Sequence, residues 1–479
     1  MSIFSDINAR QLPKMMKYSE LTPLGVASSA KKIKFFPAGS QEFGPANNII
    51  RIPISSGSCF LDGSMTSLKF TYVNLDPTAT NHACVDGSAS SFFHRMRLSS
   101  ASSNADLEDI RFYGQLHSCL SDMAMSLPQR FSKLHEGYGS GGMLKADDTQ
   151  FSDAIGFDEP SIQSSIAVAH PYTFTIPILS SLIGINSTKY LPLFLTGQLT
   201  LEIELAPYPT YCIGTDAVVA VVNPVRAAVV AVQVVDSPPV YKIMNVELHT
   251  QLIEFNSDIN NSLKELCFKP NLEIGPGGVP LPNGLFLHVH QWSSYQQSNI
   301  ANGAYSMVIS ERLKSVKSVL VSFSKNRTNQ TRALARYTGD VQSLQFKIGS
   351  AYYPDQPITG NSNDKSTNCE YLIELFKAMG HYSDSQHASL INSENFVSDR
   401  NSQFYIGRAL YGIDLDGFSA TNGQIESGVN MILNNPLTIS TSNIAPAPPG
   451  ALVPNTMTAH LLHDVLIRIS NDGKVSKSS

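Results

Sequence analysis

Leu199-Thr-Leu-Glu-Ile-Glu-Leu205 alternates apolar and polar residues without a break. That is the period of a strand that buries one face and leaves the other to solvent. The same period of two runs outward in both directions. It marks Ile50, Ile52 and Ile54, then Leu68, Phe70 and Tyr72, in the first half. In the second half it marks Leu285, Leu287 and Val289; Val319, Val321 and Phe323; Leu344, Phe346 and Ile348; and Val465, Ile467 and Ile469. Seven Asn-Gly or Asp-Gly pairs, at Asp62, Asp86, Asn283, Asn302, Asp416, Asn422 and Asp472, supply the residues that tight strand connections favour. The pattern predicts an antiparallel all-β protein.

Two segments carry helical spacing. Asp106 to Ala124 sets Leu107, Ile110, Leu116, Leu120 and Met123 on one stripe, and Thr367 to Gly380 opens with Thr367-x-x-Glu370, a capping-box pattern, and ends at glycine. After each helix comes an extended aromatic segment (172–178; 404–411), then a strand (199–205; 437–441), then a Val/Ile strand. The repeated order predicts one sandwich topology used twice, with the seam near Ser237, Pro238 and Pro239. The expected division is an N-terminal arm over 1–40, a first sandwich over 41–238 and a second over 239–479. The Val-rich stretch 217–235 reads as two strands around a turn, because Asn223, Pro224 and Arg226 interrupt it. Residues 126–169 and the proline-rich 444–454 read as long surface loops.

Composition narrows the function. Of 479 residues, 42% are hydrophobic and only 15% charged, against about 25% charged in an average globular chain. Such a surface suits burial against neighbours. A net charge of -5 provides no global field for wrapping nucleic acid. Residues 1–34 hold Arg10, Lys14, Lys17, Lys31, Lys32 and Lys34 against Asp6 and Glu20, a local basic excess suited to an acidic partner or an anionic membrane. No signal-peptide core opens the chain, so the triplets at Asn186, Asn260, Asn326 and Asn329 are read as chance. The six cysteines form no Cys-x-x-Cys pair and are expected to be buried thiols.

The sharpest chemical candidate is His288-Val289-His290. Two imidazoles two residues apart on a strand share a face and could share a metal. The pair resembles the His-x-His of cupins, but the segment after it, Gln291 to Gln296, lacks the carboxylate such a site uses. Both histidines are therefore expected to satisfy local hydrogen bonds on a strand face. Asp414 and Asp416 read as a solvated strand end rather than an acid/base pair, and Gly275-Pro-Gly-Gly278 lacks the Lys-Ser/Thr of a phosphate loop. No catalytic, cofactor-binding or metal-ligating residue is assigned, and no enzyme activity is expected. The alternative is a bicupin-like metal-dependent enzyme using His288 and His290.

Several segments together carry a family resemblance. Asn47-Asn-Ile-Ile-Arg51-Ile-Pro53-Ile with Gly57, Phe60-Leu61-Asp62 and Leu68-Lys-Phe70 resembles the opening strand pair of a jelly roll. Pro177-Ile-Leu with Lys189-Tyr-Leu-Pro192-Leu resembles the run before its late strands. Tyr241-Lys-Ile-Met-Asn245 is similar to the start of a second jelly roll, and Phe346-Lys-Ile-Gly349 with Tyr353-Pro354-x-x-Pro357-Ile358 is the most specific match. Leu462 to Val475 resembles the final strand. By these motifs the chain resembles the double-jelly-roll major capsid proteins of polinton-like viruses, virophages and adintoviruses. The resemblance implies two tandem jelly-roll sandwiches, each with one short inserted helix. It also implies a homotrimeric, pseudo-hexagonal capsomer tiling an icosahedral shell around a DNA genome. Implied partners are neighbouring capsomers, penton and minor capsid proteins, and an internal membrane or the genome at the basic arm. The implied location is the virion.

Overall fold

In a computed structural model, the described residues are 28–478 except 56, 76–80, 86–87, 102, 104, 127–128, 130–131, 139–164, 167–170, 207–211, 217–240, 269–283, 299–303, 325–335, 363, 365, 383–388, 397–407, 418–426, 433–434, 444–455 and 471–472. The first module contains β1 (Ser28–Phe35), β2 (Ile49–Ile54), β3 (Phe60–Asn74), β4 (Phe93–Ser100), β5 (Ala105–Arg111), β6 (Pro171–Pro177), β7 (Leu199–Leu205) and β8 (Tyr241–Phe255). The second contains β9 (Leu285–Ser298), β10 (Tyr305–Ile309), β11 (Val316–Ser324), β12 (Val341–Ile348), β13 (Ala351–Thr359), β14 (Tyr411–Asp414), β15 (Leu437–Asn443) and β16 (Thr456–Ile469). Helix α1 (Tyr113–Ala124) follows β5, α2 (Ser257–Phe268) follows β8, and α3 (Cys369–Ala378) follows β13.

Pairing makes the duplication explicit. The first module's sheets run β1-β8-β3-β6 and β2-β7-β4-β5; the second's run β9-β16-β11-β14 and β10-β15-β12-β13. Counting strands within each module, both orders are 1-8-3-6 and 2-7-4-5, all antiparallel. Two facing sheets in this order form a jelly roll, so the chain is a double jelly roll with one helix after the fifth strand of each module. A small sheet of 81–85, 165–166 and 212–216 is attached to the first.

The alternation of β7 does what its pattern dictates. Leu199, Leu201, Ile203 and Leu205 are buried, each contributing about 1.5–3 kcal/mol by leaving water. Glu202 on the other face pairs with Arg51 of β2 at 2.8 Å. Across the sandwich Phe70, Phe92, Phe93 and Phe174 meet edge-on or tilted. The second core clusters Phe323, Tyr371, Phe396 and Tyr411 in the same manner.

Several expectations are corrected. Tyr241–Phe255 does not open the second module. It pairs with β1 and β3 and so completes the first sheet, which moves the structural seam beyond the Pro238-Pro239 pair. Residues 28–35, expected within an arm, form β1, where Lys31 meets Glu254 and Lys34 meets Glu247 of β8. Residues 106–111 are strand, and Phe112, at φ 52°, turns the chain into α1. The Thr367/Glu370 capping box does not form, because Thr367 Oγ1 accepts from Asn361 N and Glu370 Oε2 from Thr359 N. Asp62-Gly63 lies inside β3 rather than in a turn. Gly63 is needed there because a Cβ would stand 2.4 Å from Ser187 Oγ. Asp472-Gly473 does turn the chain, with Gly473 at φ 75° leading into the C-terminal strand Val475–Ser478 against β16. Of the cysteines, Cys119 is buried, Cys59 half-buried and Cys369 exposed. The expectations for 1–27, 217–235, 275–278 and 444–454 lie outside the described residues.

Candidate functional site

The two sequence-nominated histidines sit on β9, alternating with Leu287 and Val289 of the hydrophobic core. Their imidazoles therefore lie on the outer face of the sheet, beside exposed Phe286 and Leu466. β16 lies antiparallel to β9 with Asp464 opposite His290. His290 Nδ1–H donates to Asp464 Oδ1 at 2.6 Å, and His288 Nε2 stands 3.4 Å from the same oxygen. Ser315 Oγ donates to Asp464 Oδ2 at 2.7 Å. Lys317 Nζ lies 3.7 Å from Asp464 Oδ1 and 3.5 Å from Asp416 Oδ2. Burial alone would push the Asp464 carboxyl up; hydrogen bonds from His290 and Ser315 and the Lys317 ammonium hold it below the usual carboxylate range. Burial, opposed by Asp464, keeps the His288 imidazole below its ordinary value.

The carboxylate that the local sequence lacked thus comes from the paired strand, 174 residues away. His288, His290 and Asp464 place one ligand atom each within 4.8 Å of one another. The site is outside the sandwich, whereas a cupin-type centre needs ligands inside the barrel. Asp414 and Asp416 form a turn, with Asp416 N–H donating to Asp414 Oδ1 at 3.0 Å, rather than a facing acid/base pair. A gap in the first core, lined by Leu68, Phe93, Met96, Tyr113, Ile176 and Ile203, is apolar packing without a substrate-sized chamber.

The second region of consequence is the seam between modules. Gln291 Nε2 of β9 donates to the Leu107 carbonyl of β5 at 2.9 Å. On β5, Leu107 and the neighbouring Glu108 are both buried, and Glu108 accepts from Ser180 Oγ, Ser181 Oγ and Ser181 N. Burial raises the Glu108 carboxyl, and burial lowers the Lys477 ammonium of the second module that faces it. At the end of α1, Asp122 is 2% exposed and accepts from Arg336 and Arg408 of the second module. The Asp122 carbonyl takes Leu390 N–H at 2.9 Å and Ser389 Oγ at 3.2 Å. Neither sequence pattern nor spacing singled out Asp122 or Arg336.

Among the described residues, no strand pairs with the outer edges of the equivalent strands at the two ends. β13, the fifth strand of the second module, is an edge strand with Tyr352 45% exposed. β1, the first strand of the first module, is an edge strand exposed along most of its length.

No protein-family model matches the chain, and no curated protein matches it. Solved structures define the class: the fold is that of double-jelly-roll viral capsid proteins. In its fold the chain is similar to a protein of the Sputnik virophage, with TM-score 0.58 and 13% identity over 98% of this chain and 92% of that one. It is similar to the PBCV-1 virus capsid, with TM-score 0.55 and 11% identity over 96% and 99%. The Faustovirus major capsid protein aligns with TM-score 0.52 and 11% identity over 94% and 92%.

Proposed function

We propose that the chain is a major capsid protein, a structural component of a virion, whose homotrimers form pseudo-hexagonal capsomers of an icosahedral shell around a DNA genome. The observation that carries this reading is the unequal treatment of two equivalent strands. Within one chain, the fifth strand of the first module is covered by the first strand of the second. Among the described residues, the fifth strand of the second module and the first strand of the first remain edge strands with exposed side chains. Repeating the same contact from chain to chain makes a head-to-tail association, and such an association closes into a ring when the rotation allows. Three chains give six modules, a near-hexagonal ring. The low charge and full-length likeness to capsid folds support this assignment, and the outer-face placement of His288 and His290 removes the geometry that a bicupin-like enzyme needs. Shell neighbours, penton and minor capsid proteins, and a membrane or genome contact through residues 1–27 belong to the same proposal.

Light scattering on the purified chain tests it. The expected mass is three times 52.1 kDa, and Tyr352→Arg on β13 should shift the population to monomers with an unchanged circular dichroism spectrum. A chain that stays monomeric across the micromolar range, or a trimer indifferent to Tyr352→Arg, would sink the ring.

A further inference from the structure

We infer that His288, His290 and Asp464 form a binding site for a divalent transition-metal ion of the zinc type on the outer face of the second module. The donor set is two imidazole nitrogens and one carboxylate oxygen, a combination that suits zinc and its neighbours rather than calcium or magnesium. Tetrahedral coordination at about 2.0–2.1 Å separates ligand atoms by about 3.3 Å. His288 Nε2 already stands 3.4 Å from Asp464 Oδ1. His290 Nδ1 stands 2.6 Å from that oxygen and gives up its proton to the ion, and the three ligand atoms, within 4.8 Å of one another, close to tetrahedral spacing by shifts of about 1–1.5 Å.

Two independent features point to a ligand. His288 Nε2 is buried and aimed at the carboxylate from 3.4 Å, outside good hydrogen-bond geometry. A buried polar atom left in that condition is costly. The Asp464 carboxylate is also oriented from behind by Ser315 Oγ on Oδ2, which leaves Oδ1 facing both rings. Outer-shell bonds of this kind fix metal ligands in productive geometry. Lys317 is the competing cation, and its second partner Asp416, at 3.5 Å, can hold the ammonium when the ion takes Asp464. His290 is 38% exposed, so solvent can reach the site and complete the coordination with water.

The ligands come from the first and last strands of the module. A bound ion would pin edge strand β9 to central strand β16, a structural role independent of the capsid reading. The test uses tag-free full-length protein freed of metal by a chelator and titrated calorimetrically with zinc chloride. One ion per chain is expected, with affinity falling about tenfold or more in His288→Ala and in His290→Ala. Lys317→Met should bind more tightly than the parent. Cobalt(II) on the unsubstituted chain should give the visible bands of a low-coordinate imidazole-ligated ion, which keeps the test valid if a variant misfolds. Absence of zinc binding at micromolar concentration, absence of the cobalt bands, or undiminished binding by a folded His288→Ala/His290→Ala chain each overturns the site. None of these outcomes alters the mass expected for a trimer.

Discussion

Strands β5 and β13 occupy the same place in the same topology and meet opposite surroundings. β5 is buried at its middle, with Leu107 and Glu108 both 1% exposed, while β13 keeps Tyr352 half in solvent. Duplicating a sandwich yields two copies of every edge. Fusing the copies consumes one fifth-strand edge and one first-strand edge, and preserves the other pair. Unprotected edges are normally blunted by charge, bulges or proline. β13 carries Pro354 and Pro357, while β1 carries Lys31, Lys32 and Lys34, which are devices of that kind.

The largest test of this contrast removes what holds the covered edge in place. Asp122 balances Arg336 and Arg408 across the seam, in a site where all three side chains are at least 86% buried from solvent. Asp122→Ala leaves two guanidinium groups without their carboxylate, a loss of about 3–5 kcal/mol for a buried ion pair. Urea denaturation should show that loss together with a separate, earlier transition for one module. A variant within about 1 kcal/mol of the parent, unfolding in one step, would mean that the seam is held by apolar packing alone.

The second test sharpens the contrast between the last strands of the two modules. On β8, His249 Nε2 sits partly exposed, 2.8 Å from Glu247. On β16, His460 is fully buried, bonded through Nδ1 to Ser294 Oγ at 2.7 Å. Burial, aided by Arg336, lowers its pKa from 6.5 to about 3. The folded state therefore refuses a proton that the unfolded chain accepts below about pH 6.5, so stability is complete above that value and declines as pH falls toward 3. The contribution is about 1.4 kcal/mol per pH unit in that window. Unfolding measured from pH 7 to 5 should show a shallower decline in His460→Gln than in the parent; parallel curves would exclude His460 as the source.

The contrast also explains what the sequence could reveal. Strands with one wet face keep their period of two, so β7, β12 and the 465–469 end of β16 are legible in the sequence. β5 is not: a bulge leaves Leu107 unpaired between the Leu98–Glu108 and Ser99–Asp106 pairs, so Leu107 and Ile110 fall three apart and imitate a helix, and Phe112 in the left-handed region ends the strand. Pro238-Pro239 reads as the seam because a strand's partners are not written beside it; Tyr241 pairs with Asn74. For the same reason the segment just after His290 does not reveal the carboxylate. Asp464 is its direct cross-strand neighbour, and the run His460-Leu-Leu-His463-Asp464 was the available signal.

The smallest expected effect separates the two acids at matching places on the outer faces. In each module the last strand carries an acid flanked by a lysine of the third strand and a basic residue of the first: Glu247 with Lys69 and Lys34, Asp464 with Lys317 and His290. Asp464 is the more enclosed of the two, at 4% against 18% exposure. Hydrogen bonds from His249 and Lys34 hold the Glu247 carboxyl down at about 2, against an ordinary 4.5. Its stabilising contribution is therefore present above about pH 4.5 and lost as pH falls toward 2. Because Lys34 is half exposed, solvent screening limits the cost of Glu247→Gln to about 0.5–1 kcal/mol at neutral pH. That cost should shrink in 1 M salt, where the screening length is about 3 Å. Chemical denaturation at low and high salt measures both values. An equal or larger cost in high salt would mean that Glu247 acts through packing, and the resemblance between the two acid clusters would then be one of position without shared electrostatics.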